Sequence, residues 1–251
     1  MRKNEYGGNS VSRVNLGKKG AQTLGTGPYE YFIYESLLEE QICLDKLQSF
    51  SCFILEKPAV SVIQVLGIND PIQEGDCIQT EGMSLEMTVQ KGPVKLLVSG
   101  VKGRIKKDNY IKHISYADLY KVEKPWGHEL WINGQHEGYA LKQIFIKKGT
   151  KTSLQYHKYK QETNVLFEGI AKLHYKRNPD VINDSVLDND ISTRSLHPVS
   201  SIDVTPGVLH RLEAVSDILL YETSTPHLDD VIRVVDDKGR LNGRIVEEHK
   251  S

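Results

Sequence analysis

Four residues in the second half of the chain are of types that bind divalent metal ions. Gln155 and His157 stand two positions apart in the run TSLQYH, and Glu162 follows after a short turn. Residues i and i+2 of a strand share a face, so Gln155 and His157 point the same way if this run is a strand. Glu162 can face them across the hairpin after the turn. A second histidine, His210, ends the run TPGVLH.

The donor set that these residues would form is mixed. Two imidazoles, one carboxylate and one amide oxygen suit Zn, Mn, Fe, Co or Ni. His210 comes 48 residues after Glu162 (210 − 162), so only a fold that returns the chain can bring the two together. Any open coordination position would be available to a substrate oxygen. We therefore predict one bound divalent metal ion, with Zn as first choice, held by Gln155, His157, Glu162 and His210.

The elements that must position these residues read as short strands. Runs such as SCFIL (51–55), VSVIQVL (60–66), YALKQIFI (139–146) and DILLYET (217–223) are separated by turns rich in Gly, Asn, Asp and Pro. This pattern is typical of an all-β sandwich or barrel. The segment SLLEEQICLDKL (36–47) is the exception, because its apolar spacing predicts a short helix.

Several motifs in the second half resemble those of a known family. The run from Gly149 to Gly169 resembles the first cupin motif, and TPGVLH resembles the second. The runs KPWGHELW, SLQYH, TPGVLHRLE and DDVIRVVDDKGR are similar, in the same order, to the cupin domains of type II phosphomannose isomerases (mannose-6-phosphate isomerases). The resemblance covers about residues 120–240. It implies a cupin fold, which is a double-stranded β-helix or jelly-roll barrel, and chemistry on sugar phosphates.

The sequence also departs from the family pattern close to the predicted metal ligands. Lys158 and Tyr159 stand where histidines are common in the family. Thr163 stands where a histidine or an aromatic residue is usual. These differences bear on the substrate rather than on the metal ligands.

Four further residues are candidates for catalysis or substrate binding. Glu222 matches a recurring glutamate of the family, and it is a candidate general base because Glu162 already serves as a ligand. Lys142 is a candidate for stabilising the developing oxyanion or for binding phosphate, and Arg211 is a candidate for binding substrate. Arg233 is the fourth candidate, again for binding substrate.

Each of the three basic candidates has a structural alternative. Lys142 alternates with apolar residues, so it is either a cation at the barrel mouth or a side chain that reaches out to solvent. Arg211 follows a predicted ligand and would face the opposite side, where it would be a surface charge. Arg233 could form a structural ion pair with Asp229 or Asp230.

The first half of the chain has no comparable cluster of ligands. Residues 74–100 have the rhythm of a second cupin motif, but Leu85 stands at the position of the metal histidine, and leucine cannot bind a metal. We therefore predict a bicupin in which residues 29–110 form a degenerate cupin-like domain and residues 111–251 form the metal-binding domain. Residues 1–28 are predicted to be a flexible arm.

Composition sets the cellular context that we expect. The 251 residues contain 32 basic and 33 acidic side chains, and this balance gives no electrostatic case for binding nucleic acid. No apolar run reaches the length of about 18 residues that spans a bilayer. Cys43, Cys52 and Cys77 are odd in number and widely spaced, which is typical of reduced thiols. We expect a cytoplasmic protein with no membrane partner, and exposed strand edges favour a homodimer.

The leading functional prediction is a metal-dependent aldose–ketose isomerase acting on a sugar phosphate, similar to mannose-6-phosphate isomerase, through a metal-stabilised enediolate. One alternative is an Fe-dependent cupin dioxygenase. Another is a non-catalytic cupin that binds a sugar or a sugar nucleotide. Metal identity separates the dioxygenase from the others, and turnover separates an enzyme from a binding protein.

Overall fold

The computed structural model describes residues 11–13, 20–36, 39–103, 108–134, 136–177 and 191–249. These residues form β-strands and two short 3-10 turns, Tyr116–Asp118 and Val246–His249, which confirms the all-β prediction. In the described part of the chain, no helix is both long enough and apolar enough to cross a membrane. The chain divides into two compact units.

The N-terminal unit holds the described residues of 14–120 and 131–141. Its strands are β2 (Gly20–Thr23), β3 (Glu30–Glu35), β4 (Glu40–Leu44), β5 (Ser49–Glu56), β6 (Val62–Val65), β7 (Cys77–Glu81), β8 (Leu85–Lys91), β9 (Lys95–Val101) and β10 (Tyr110–Ile114). They form a six-stranded sheet in the order β10-β7-β5-β9-β3-β2 and a three-stranded sheet in the order β4-β8-β6.

The core of the N-terminal unit is apolar. Alternate residues of β5, Phe50, Cys52 and Ile54, pack against residues of β8 that include Leu85 and Met87. Leu85 is fully buried in this cluster. Within the described residues, the His, Cys, Asp and Glu side chains form one cluster suited to a metal ion, and it lies outside this unit. Leu85 thus packs in an apolar core, and the degenerate bicupin relationship stays a prediction.

The short helix predicted over residues 36–47 is wrong. Its centre is β4, which pairs antiparallel with β8. Ile42 points into the core while its neighbours Gln41 and Cys43 are exposed, so burial follows the two-residue period of a strand. Glu39 has a φ of 57°, a left-handed conformation that an α-helix cannot contain.

The C-terminal unit holds the described residues of 1–13, 121–130 and 142–251. Its strands, two of which continue into residues 131–141, are β1 (Val11–Arg13), β11 (Tyr120–Lys124), β12 (Gly127–Asn133), β13 (Ala140–Ile146), β14 (Leu154–Tyr156), β15 (Glu162–Glu168), β16 (Ala171–Lys176), β17 (Ser192–Leu196), β18 (Ser200–Val204), β19 (Leu209–Ala214), β20 (Ile218–Ser224) and β21 (Ile232–Val235). Their sheet orders are β1-β18-β15-β20-β13-β12-β11 and β17-β16-β19-β14-β21.

Two strands lie inside the segment predicted to be a flexible arm. β1 pairs antiparallel with β18, and β2 pairs antiparallel with β3. Their backbone groups are therefore held in ladders, and these two segments are strands rather than a flexible arm. Residues 1–10 and 14–19 lie outside the described residues, so the prediction for them is untested. Residues 131–141, which the predicted boundary assigned to the metal-binding domain, belong to the N-terminal unit.

The interior of the C-terminal unit has an apolar layer and a polar layer. Leu166 of β15 and Leu220 of β20 are opposite each other in the sheet and belong to the apolar core. Because side chains of a strand alternate, Asn164 and Glu162 share the face of Leu166, and Glu222 shares the face of Leu220. The same strands that build the core therefore carry polar side chains into the interior further along.

Replacing Leu85 with alanine should destabilise the N-terminal unit, because this side chain is fully buried in its core. We expect the free energy of unfolding to fall by about 2–5 kcal/mol. Urea unfolding followed by circular dichroism measures the change. Leu66→Ala is the control, since Leu66 is exposed in the same unit and should alter stability by less than about 0.5 kcal/mol. An unchanged urea midpoint for Leu85→Ala would contradict the packing described.

Candidate metal centre

Three of the four predicted ligands meet in the interior of the C-terminal unit. His157 follows β14, Glu162 begins β15 and His210 lies in β19, and all three side chains are buried. Nε2 of His157 lies 3.4 Å from Oε2 of Glu162, and Nε2 of His210 lies 3.2 Å from Oε1. The ligand atoms of the three residues all lie within 4.8 Å of one another. The fold thus brings His210 next to Glu162, although the two residues are 48 positions apart in the sequence.

Backbone carbonyls orient both imidazoles toward the glutamate. Nδ1 of His157 bonds the carbonyl oxygen of Asp230, and Nδ1 of His210 bonds that of Val208 at 3.0 Å. A carbonyl oxygen can only accept, so in each ring Nδ1 carries the proton and Nε2 of the neutral ring carries a lone pair. Metal-binding histidines are commonly oriented in this way.

The clearest sign of a cation site is an atom with no hydrogen-bond partner. Nε2 of His157 is buried and makes no hydrogen bond in the structure. A buried lone pair without a partner costs free energy, so such atoms are rare unless they serve a function. Here the lone pair points toward a carboxylate and a second imidazole. The residues present therefore fit a divalent cation.

Gln155, the fourth predicted ligand, lies on the same face as the triad. It is directly opposite His210 in the antiparallel pairing of β14 and β19, and directly opposed residues project from the same face. Its Oε1 accepts a hydrogen bond of 2.6 Å from the hydroxyl of Ser153. An amide oxygen has two lone pairs, so this bond can orient Oε1 and still leave one lone pair for a cation.

Asp230 holds the turn that separates His157 from Glu162. Its carboxylate accepts hydrogen bonds from the backbone N–H groups of Lys158 at 3.0 Å, Tyr159 at 2.6 Å and Lys160 at 2.8 Å. Partial burial opposes ionisation, but these three donors hold the pKa of Asp230 below its usual value. One residue thus orients the ring of His157 through its carbonyl and fixes the following turn through its side chain.

A buried lysine joins the metal cluster to the candidate base. Nζ of Lys160 lies 2.5 Å from Oε2 of Glu162 and 2.8 Å from Oε1 of Glu222. Asn164 adds a hydrogen bond of 3.1 Å to Oε1 of Glu162. The predicted base Glu222 is therefore next to the ligand set, and Lys160 is the contact between them.

The charges in this cluster stabilise one another. Burial alone would lower the pKa of Lys160, but the carboxylates of Glu162 and Glu222 raise it above its usual value. Burial alone would raise the pKa of Glu162, but the ammonium of Lys160 holds it well below its usual value. The lysine therefore stays charged at neutral pH, as does the ligand carboxylate.

Sequence reasoning did not select Lys160 or Asp230. Lys160 lies in a turn beside Lys158, which is exposed, and nothing in composition separates the two. The available signal is position, because Lys160 stands two residues before Glu162 and can share its face. Asp230 was considered only as an ion-pair partner for Arg233, whereas the structure shows it accepting hydrogen bonds from the turn.

The structure places the three basic candidates in different surroundings. Lys142 is buried, shares the face of Ile144 and Ile146, and has its Nζ 3.4 Å from Glu129. Arg233 is directly opposite Gln155 in the pairing of β14 and β21, so it shares the face of the triad. Its Nη1 donates to the backbone carbonyls of residues 241 and 243, and its Nε lies 3.8 Å from a carboxylate oxygen of residue 236. The ion pair predicted for Arg233 therefore exists with a different aspartate.

Arg211 is not brought to the triad. It alternates with His210 along β19 and therefore projects from the opposite face. Its Nε donates to the carbonyl of Thr152 at 2.7 Å, and Nη2 donates to Asp237 at 2.9 Å. The side chain of Arg211 is only 12% exposed, so these contacts make it a partly buried structural cation rather than a surface charge. A substrate-binding role for Arg211 stays a prediction.

Asp230→Asn should destabilise the metal-free protein in a pH-dependent way. The lowered pKa of Asp230 means that its ionised form contributes stability above the unfolded pKa of about 3.9, which is lost as pH falls through the lower folded pKa. Urea midpoints measured with a chelator present should therefore differ most near neutral pH and converge in strong acid. Asp229→Asn is the control, because that side chain is mostly exposed. A difference between wild type and Asp230→Asn that does not change with pH would contradict this role.

Comparison with known proteins supports the predicted family resemblance. Residues 112–234, a little under half of the chain, match the family model described as mannose-6-phosphate isomerase C-terminal. A search of curated proteins gave no match.

Solved structures with a similar fold are numerous. Oxalate decarboxylase from Lactobacillus farciminis, in a formate complex, has a TM-score of 0.62 and 11% identity, with 86% of this chain and 84% of that chain covered. Salicylate 1,2-dioxygenase from Pseudaminobacter salicylatoxidans has a TM-score of 0.59, 11% identity and the same coverage of 86% and 84%. An iolb-like protein from Salmonella typhimurium has a TM-score of 0.62 and 11% identity over 96% of this chain and 97% of that chain. At this identity the likeness shows the fold alone, and it confirms the predicted cupin fold.

Proposed function

We propose that the C-terminal unit binds one divalent metal ion and isomerises an aldose phosphate to the corresponding ketose phosphate. The observation that supports a metal most directly is the buried, unpartnered Nε2 of His157 beside Glu162 and His210. The match of residues 112–234 to the mannose-6-phosphate isomerase C-terminal model supports the substrate class. Gln155, on the same face, is the proposed fourth ligand.

The proposed ion is zinc, because a set of imidazoles and oxygens suits it and the isomerisation needs no redox change. When bound, a divalent cation would supply Lewis-acid chemistry by polarising the carbonyl of the open-chain sugar. Proton transfer and phosphate binding are assigned in this proposal to side chains of the protein.

Glu222 is the proposed general base. An aldose–ketose isomerisation moves one proton from C2 to C1 and another from the 2-hydroxyl group to the carbonyl oxygen. A general base must therefore remove the proton from C2 and return it to C1, and a carboxylate can serve as that base. Glu222 is buried and directly opposite Asn164, whose amide contacts Glu162. The ammonium of Lys160 donates a hydrogen bond of 2.8 Å to Oε1 of Glu222 and so fixes one of the carboxylate oxygens.

Lys142 and Arg233 are the proposed phosphate-binding cations. Both are placed on the interior face of the C-terminal unit by the alternation and register described above. Arg233 donates to two backbone carbonyls, which orient the guanidinium, and its Nε lies 3.8 Å from a carboxylate oxygen of Asp236. A phosphate could therefore be attracted to this part of the interior. Arg211 is left out of the proposed phosphate site because it lies on the outer face.

Elemental analysis of protein purified without a His tag tests the metal part of the proposal. We expect about one equivalent of divalent metal per chain, and its loss from the His157→Ala/His210→Ala variant, because two of the proposed ligands are gone. His174→Ala is the matched control, since His174 pairs with Glu213, 2.9 Å away, outside the triad, and should retain the metal. No metal after loading with Zn, Mn, Fe, Co or Ni would refute the proposed centre. Iron as the native metal would instead favour a dioxygenase.

Glu222→Gln tests the isomerase part. With metal loading verified and saturating, we expect kcat for mannose 6-phosphate or a related aldose phosphate to fall by about 10²–10⁴-fold, because the amide cannot accept the proton. Glu213→Gln, which changes a glutamate outside the interior, is the control. Absence of turnover in metal-loaded wild type with a panel of aldose phosphates would leave a sugar-binding cupin as the better explanation.

The remaining expectations from the sequence, a homodimer and a cytoplasmic location, stay predictions. Size-exclusion chromatography with light scattering would give the oligomeric state directly.

A further inference from the structure

Two lysines of one turn have opposite surroundings. Lys158 and Lys160 both lie between the ligands His157 and Glu162, yet Lys158 is exposed and Lys160 is only 5% exposed. A buried ammonium loses its hydration and needs compensating partners. Lys160 finds them in the two carboxylates of Glu162 and Glu222. The chain thus places a permanent positive charge directly against a proposed metal ligand.

This placement sets the electrostatic balance of the cluster. Two carboxylates and one ammonium leave a single negative charge among Lys160, Glu162 and Glu222 when both imidazoles are neutral. The ammonium would repel a divalent cation held by Glu162, because Lys160 contacts the same carboxylate in buried surroundings. Glu222 has the opposite effect, because it adds negative charge and also gives Lys160 an alternative partner.

From this geometry we infer that Lys160 and Glu222 act as a counter-charge pair that tunes the affinity of the metal centre. With no metal bound, Lys160 neutralises Glu162 and lets the buried ligand set persist without the ion. With a metal bound, Lys160 would share the carboxylate of Glu162 with the ion and would remain held by Glu222. Lys160 is in this sense a positioning residue, since it acts on the ion through the ligand carboxylate. The inference rests on the proposed metal centre and adds residues that determine its affinity.

The two residues have opposite expected effects, which gives the inference a sharp test. Removing the ammonium leaves two negative charges, so the metal should bind more tightly. Removing the charge of Glu222 leaves the cluster with no net charge, so the metal should bind more weakly. Removing both restores the single negative charge of the wild type. An ordering of this kind does not arise if Lys160 only supports the fold.

The experiment is a titration of metal-free full-length protein with Zn²⁺ or Mn²⁺ in competition with a chromophoric chelator. Relative to wild type, we expect Kd to fall at least about tenfold for Lys160→Met and to rise at least about tenfold for Glu222→Gln, by the Coulomb energy of a buried charge near the ion. The double variant should lie within about threefold of wild type, because its net charge is the same. Lys158→Met is the control in the same turn and should change Kd by less than about twofold, because water screens its charge.

Thermal unfolding with and without metal gives a second readout. The rise in Tm on adding metal should be largest for Lys160→Met and smallest for Glu222→Gln, since tighter binding stabilises the native state more. If Lys160→Met does not fold without metal, Glu222→Gln and the double variant still test the ordering. Equal Kd values for all variants, or weaker binding by Lys160→Met, would overturn the inference. Failure of wild type to bind any metal would instead remove the proposed centre itself.

Discussion

The hydrogen bonds made by Asp230 are the constraint on which the candidate metal centre depends. His157 and Glu162 are five positions apart, and the chain must reverse between them while both side chains stay in the interior. A tight reversal leaves backbone N–H groups that cannot pair within a ladder, and each needs an acceptor. The carboxylate of Asp230 accepts three of them, and its carbonyl accepts the Nδ1 proton of His157. Ligand orientation and turn geometry therefore have one common support.

The same turn determines how charge is distributed in the interior. With the backbone fixed, Lys158 and Tyr159 are directed outward and Lys160 inward. A lone buried carboxylate or ammonium would be costly, whereas Glu162, Lys160 and Glu222 lie close enough to compensate one another. The apolar layer formed by residues such as Leu166, Ile202 and Leu220 excludes water from one side of this cluster. Low water content strengthens each of these interactions.

The sequence predicts those parts of the centre that depend on local periodicity and on motifs. The two-residue spacing of Gln155 and His157 places both on one face, and the register of β14 with β19 agrees with it. Glu162 and His210 follow from the resemblance to cupin motifs. Lys160 could not be distinguished from Lys158 because burial in a turn depends on partners that lie far away in sequence.

The helix wrongly predicted over residues 36–47 and the contacts of Arg211 have a related cause. The apolar spacing of residues 36–47 is compatible with a helix, and only pairing with β8 decides for a strand. The contacts of Arg211 with Thr152 and Asp237 likewise depend on tertiary structure, although its alternation with His210 already indicated the outer face. Local patterns thus identify faces, while partners supplied by distant strands decide which residues on those faces interact.

The long sequence separation between His157 and Asp230 has a consequence for biosynthesis. The two residues joined by the Nδ1 hydrogen bond are 73 positions apart, and Asp230 is the later of the two. During translation, the ribosome must therefore release the chain beyond Asp230 before this bond can orient the ring of His157. Nascent chains that already expose His157, Glu162 and His210 have the ligand residues but not the support that aligns them. Alignment of the candidate ligands thus requires that the chain has been synthesised beyond Asp230.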